Sequence, residues 1–124
     1  MPTVKLGISL SIDYAHSLPG HGKCSMLHGH TAKVTVVVRG SIPMDGKECG
    51  NYMLIDFIEL RDRVKNILME LDHRNLNELF ICPTAEVLAY WIYRKLREVL
   101  PSNIEIVSIR VQEGDSGWAE YEGE

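Results

Sequence analysis

Two stretches in which apolar residues alternate with polar ones constrain this chain more than any other feature. Val4, Leu6, Ile8, Leu10 and Ile12 alternate with Lys5, Gly7, Ser9 and Ser11, and Val34, Val36 and Val38 repeat the pattern between Thr31 and Arg39. A period of two is the signature of a strand with one buried face. Between the two runs, Ser17 to Lys23 contains Pro19, Gly20 and Gly22, turn-forming chemistry that folds the chain back so the second strand can pair with the first. The hairpin has a chemical consequence. His16 follows the first run, while His28 and His30 lead into the second, so all three histidines are expected at one end of the hairpin. His28 and His30, two residues apart on an extended chain, share a face.

After Ser41 to Tyr52, an exposed loop with Pro43, Gly46 and Gly50, the period changes. Phe57, Leu60, Val64, Ile67, Leu68 and Leu71 fall at helical spacing behind Asp56, a suitable N-cap. The polar stretch from Asp72 to Asn77 breaks this helix and reads as a loop. A second amphipathic helix follows Pro83, with Thr84 as its N-cap, and stops before Pro101. Residues 104–112 and 118–121 read as strands joined by a turn over Gly114 to Gly117. The predicted order is ββααββ in a single domain over residues 1–124. The expected architecture is α+β: a four-stranded antiparallel sheet with two helices on one face. On the second strand's other face, Lys33, Thr35, Val37 and Arg39 are mostly polar, compatible with water or with the lumen of an assembly.

With 13 basic and 17 acidic residues the net charge is -4. No basic block is present to neutralise phosphates, so no nucleic-acid partner is expected. Neither a signal peptide nor a membrane span is legible, and the expected compartment is the cytoplasm. Three cysteines, at 24, 49 and 82, make no disulfide framework. Cys49 and Cys82 have no chemical company. Cys24 stands four residues before His28.

Three histidines at one end of a hairpin fit a catalytic zinc site, in which three protein ligands leave a fourth position open. The plain alternative is surface or turn histidines without a metal. For Cys24 there are also two readings, a base with a depressed pKa beside the metal or a fourth ligand that closes the site.

The residues Tyr14-Ala15-His16, Cys24-x-x-x-His28-Gly29-His30, Leu54-Ile55-Asp56-Phe57, Leu71-Asp72-His73-Arg74-Asn75-Leu76-Asn77, Pro83-Thr84-Ala85-Glu86 and Val111-Gln112-Glu113 together resemble the 6-pyruvoyltetrahydropterin and 6-carboxytetrahydropterin synthase superfamily. The resemblance covers nearly the whole chain. It implies the tunnelling fold, in which two-helix subunits join through their sheets into barrel-shaped homo-oligomers, here expected to be hexamers, with active sites between subunits. It implies dihydroneopterin triphosphate as substrate and one zinc ion (Zn2+) per subunit, held by His16, His28 and His30. Cys24 matches the general base, and Asp72 with His73 matches an acid/base dyad brought by a neighbouring subunit. Glu113 matches the carboxylate that holds the pterin ring, although Gly114 follows it where a hydroxyl residue is usual. Thr84 is a further substrate contact or only a helix cap. The three-residue gap between Cys24 and His28 resembles the 6-carboxytetrahydropterin synthases of the 7-deazaguanine (queuosine-type) pathway. Members that cleave dihydroneopterin to hydroxymethyl-dihydropterin tend to carry glutamate where Leu27 stands. The expected activity is therefore 6-carboxytetrahydropterin formation, with pyruvoyl-tetrahydropterin formation as the alternative and a non-catalytic zinc-stabilised binding module as a third reading.

Overall fold

A computed structural model describes residues 1–123. Two long antiparallel strands dominate it, β1 (Thr3–His16) and β2 (His28–Ser41). They pair over their full length, from Thr3 opposite Ser41 to His16 opposite His28. Both strands are longer than the apolar alternation predicts, because the histidine-bearing residues at 13–16 and 28–30 are themselves part of the ladder. The connection contains a single 3-10 turn at Gly22–Ser25.

Helix α1 (Phe57–Leu68) is capped as expected, with Asp56 accepting from the Ile58 N–H at 2.7 Å. Leu60, Val64, Ile67 and Leu68 are buried, and Leu71 stays in the core beyond the helix end, whereas Phe57 in the first turn is exposed. Helix α2 (Ala85–Val99) begins at Thr84, whose hydroxyl accepts from Val87 N–H at 3.1 Å. Strands β4 (Glu105–Glu113) and β5 (Gly117–Tyr121) form the second hairpin.

The sheet has five strands, not four, and is mixed rather than wholly antiparallel. The added strand, β3 (Arg74–Asn75), lies parallel to β1 with Tyr14 opposite Arg74 and Ala15 opposite Asn75. The observed order is ββαβαββ in sequence and β3-β1-β2-β4-β5 across the sheet. The polar run from Asp72 to Asn77 has no strand pattern of its own. It is recruited by β1: the His73 N–H donates to the Asp13 carbonyl at 2.6 Å, and the Asp72 carboxylate accepts from the Asp13 N–H at 2.9 Å.

Both helices pack on one face, α1 against β1 and α2 against β4 and β5. The even-numbered residues of β1 and β2 point to that side, and Val34, Val36 and Val38 are at most 1% exposed. Gly40 permits a close crossing there, since a Cβ would collide with the Leu54 side chain. The opposite face is polar, with Ser9 and Thr35 hydroxyls 2.9 Å apart and Arg110 lying 3.8 Å over the Trp118 ring. Among the described residues, no helix is long and apolar enough to cross a membrane.

Candidate metal centre and active site

The strand register places the three histidines. His16 and His28 stand directly opposite each other, and His30 lies two residues further along β2, opposite Tyr14. All project to the helix-covered face by the alternation that buries Ile12 and Ala32. One ring nitrogen from each lies within 4.8 Å of the other two. The rings meet edge-on, with centroids 4.6 to 5.1 Å apart.

Backbone carbonyls fix two of the rings. His16 Nδ1 is 2.7 Å from the Pro83 carbonyl oxygen and His28 Nδ1 is 2.8 Å from that of Met26. A carbonyl only accepts, so each Nδ1 carries a proton, which leaves Nε2 as the nitrogen that can bind a metal. His16 is 1% exposed, and its Nε2 is buried with no hydrogen-bond partner. Leaving such a group unpaired costs about 1–3 kcal/mol, so the fold leaves that nitrogen suited to a partner from outside the chain. The pKa of His30 is lowered, chiefly by burial, with His16 and His28 pushing the same way against the opposing pull of Glu113. A neutral imidazole is the ligating form.

Glu113, at the end of β4, faces the same cluster. Its Oε2 is 3.9 Å from His16 Nε2 and its Oε1 is 4.0 Å from His30 Nε2. Tyr14 donates its hydroxyl to Oε2. Burial holds the phenol well above its usual pKa, and the hydrogen bond to and charge of Glu113 push the same way, which keeps it a donor.

The other expected residues are arranged differently. Cys24 lies in the 3-10 turn and is exposed, and its sulfur is not among the clustered ligand atoms. Asp72 and His73 do form a pair, with His73 Nδ1 2.9 Å from Asp72 Oδ2. The Asp13 N–H, followed by His73, lowers the Asp72 pKa below the usual carboxylate value. His73 adopts a left-handed φ of 59° and its side chain is 77% exposed. The dyad is thus anchored to the β1 edge at Asp13, whose side chain points away from the face that carries Tyr14 and His16. A shallow cavity of about 550 Å³ beside it is lined by Asp13, Ala15, Thr31, His73 and Arg74, among others. Thr84 caps α2 and lies next to Pro83, the residue that orients His16.

Among known proteins, the family described as 6-pyruvoyl tetrahydropterin synthase matches residues 5–124. The chain belongs to the 6-pyruvoyl tetrahydropterin synthase family. It is 36% identical over 115 residues to a putative 6-carboxy-5,6,7,8-tetrahydropterin synthase of Archaeoglobus fulgidus, covering 93% of this chain and 92% of that one. It is 35% identical over 112 residues to a dihydroneopterin monophosphate aldolase of Pyrococcus furiosus, covering 90% and 91%. The solved structure of Caenorhabditis elegans 6-pyruvoyl tetrahydropterin synthase superposes with a TM-score of 0.84 over 100% of this chain and 98% of that one, at 24% identity. The fold is therefore the α+β tunnelling fold of the 6-pyruvoyl tetrahydropterin synthase family, here with a short fifth strand.

Within that fold, sequence reading missed two contributors. Tyr14 was legible only as part of a motif, although its place in the alternation between Ile12 and His16 put it beside the histidines. The carbonyls of Pro83 and Met26 left no trace in residue type.

Proposed function

We propose that this chain is a zinc-dependent lyase that converts 7,8-dihydroneopterin triphosphate and water to 6-carboxy-5,6,7,8-tetrahydropterin, acetaldehyde and triphosphate. The observation that carries the reading is His16 Nε2, a buried nitrogen without a hydrogen-bond partner in a cluster of three ring nitrogens. Three clustered imidazoles, with two Nδ1 atoms held by carbonyls, suit zinc with one position open. His16, His28 and His30 would hold the ion, and when bound it supplies Lewis-acid polarisation of a hydroxyl or carbonyl oxygen on the pterin side chain.

The chain's own groups carry the proton transfers. Cys24, exposed in the turn that precedes β2, takes a carbon-bound proton from the substrate side chain. His73, oriented by Asp72, shuttles protons as a general acid and base. Glu113 accepts hydrogen bonds from the amino-pyrimidine edge of the pterin, a bidentate contact that neutral side chains make less strongly. Thr84 remains with its helix cap.

We place the complete site between copies of the chain in a homo-oligomer, a hexamer by family resemblance. Two features support this. The Asp72–His73 dyad is anchored on the outer edge of β1 at Asp13, and the sheet ends in two edges, β5 on one side and Thr3 to Ile12 of β1 on the other. Open edges of this length are normally paired or covered.

The choice of 6-carboxytetrahydropterin rests on the short Cys24-to-His28 spacing and on Leu27 before the His28-Gly29-His30 triplet. The test is incubation with dihydroneopterin triphosphate followed by mass spectrometry and an aldehyde assay. 6-Carboxytetrahydropterin with stoichiometric acetaldehyde is expected. Pyruvoyl-tetrahydropterin without acetaldehyde would move the chain to the elimination-only activity, and hydroxymethyl-dihydropterin would move it to the aldolases.

A further inference from the structure

We propose that Tyr14 is a positioning residue that holds the Glu113 carboxylate at the mouth of the metal centre. The inference rests on the zinc reading above and adds two residues to the three histidines.

Tyr14 is 4% exposed. Its ring lies edge-on to two of the histidines, with centroids 5.4 Å from His16 and 6.1 Å from His30. Phenylalanine would satisfy that packing equally well. The hydroxyl is what needs an explanation, because a buried phenol is normally hydrogen-bonded, and here its acceptor is Glu113 Oε2.

Glu113 needs such a restraint. It is the last residue of β4, followed by Gly114 at a positive φ of 75° in the turn to β5. A glutamate at a strand end has three side-chain torsions and open solvent within reach, and hydration favours turning the charge outward. Instead the carboxylate faces inward, with its oxygens 3.9 and 4.0 Å from the Nε2 atoms of His16 and His30. The Tyr14 hydroxyl is the hydrogen-bond donor that holds it there.

A carboxylate in that place supplies a negative charge and an acceptor beside a cation held by His16, His28 and His30. The charge favours a cation there electrostatically, and outer groups of metal sites typically contribute roughly 10- to 100-fold in metal affinity. Oε1 and the second lone pair of Oε2 stay free to accept from a bound substrate. Tyr14 therefore links the residue proposed to hold the pterin to the residues proposed to hold the metal.

The test is zinc affinity by competition with a chromophoric chelator, on the purified protein and its Tyr14→Phe, Glu113→Gln and doubly substituted variants. Glu113→Gln should weaken zinc binding roughly 10- to 100-fold. Tyr14→Phe, which keeps the ring and its packing, should weaken it by a smaller factor, roughly 3- to 10-fold. If Tyr14 acts through Glu113, the double variant should be no weaker than Glu113→Gln alone. A merely structural role would move the melting temperature of the metal-free protein and leave the zinc affinity of Tyr14→Phe unchanged. Wild-type affinity in Tyr14→Phe, or full additivity in the double variant, would overturn the proposal. Failure of the unsubstituted protein to bind zinc would instead overturn the metal reading on which it stands.

Discussion

The histidine end of the β1–β2 hairpin and the segment from Asp72 to Asn75 lie on neighbouring parts of the same sheet, yet they are built by opposite means. The histidines sit in the ladder of two fourteen-residue strands, and their convergence follows from register. The dyad sits in the turn just before a two-residue strand, with His73 at positive φ, and is held by two hydrogen bonds to one residue, Asp13. One site is made by long-range periodicity and the other by a local backbone capture. The first brings its three ring nitrogens together within one chain, and the second turns its exposed histidine outward.

Replacing a histidine should have the largest effect. His28→Ala removes one of three ligand nitrogens and should abolish both metal binding and turnover, with the fold retained because His28 is only partly buried. Full metal content in that variant, measured by elemental analysis, would dissolve the distinction at its stronger side.

Cys24→Ala should separate chemistry from coordination. The sulfur is outside the ligand cluster, so the variant should keep its metal and lose roughly two to four orders of magnitude in turnover, the range for removing a general base. Metal loss together with the thiol would favour a closed four-ligand site.

The outward-facing dyad can be probed by mixing. Inactive Cys24→Ala and inactive His73→Ala, combined under conditions that exchange subunits, should recover part of the activity. Proven exchange without recovery would mean that each chain's dyad serves its own histidines.

Smaller effects sharpen the same contrast. Thr84→Ala should cost about 1 kcal/mol of stability through its lost cap and leave KM unchanged, whereas a raised KM would make Thr84 a substrate contact. Asp72→Asn should lower the melting temperature slightly at neutral pH. The folded-state pKa of Asp72 is depressed, so its contribution is present above the unfolded value of roughly 3.9 and is lost as pH falls through the lower folded value. Its partial exposure keeps the contribution small. A difference between wild type and Asp72→Asn that persists at low pH would show that the carboxylate's charge is not its source.

What was legible in the sequence follows the same division. Alternation located both long strands, and helical spacing with Asp56 and Thr84 located both helices and their caps. The ends of β1 and β2 were underestimated because His16, His28 and His30 occupy the even-numbered positions where the apolar row that marks the buried face would continue. β3 was illegible for a different reason: nothing in Arg74-Asn75 favours extension, and only the Asp13 backbone, some sixty residues earlier, draws it into the sheet. At the site, His16, His28 and His30 could be grouped by periodicity alone. The Tyr14–Glu113 contact joins residues 99 positions apart and depends on the offset of β4 against β2, which no local pattern encodes.

Both the proposed chemistry and the role of Tyr14 depend on the three histidines binding a metal. The most direct test is the zinc content of the protein after loading and exhaustive dialysis, measured by elemental analysis against protein concentration. One equivalent per chain is predicted. Retention of none, or of zinc in the same amount when His16 and His30 are both replaced by alanine, would contradict it.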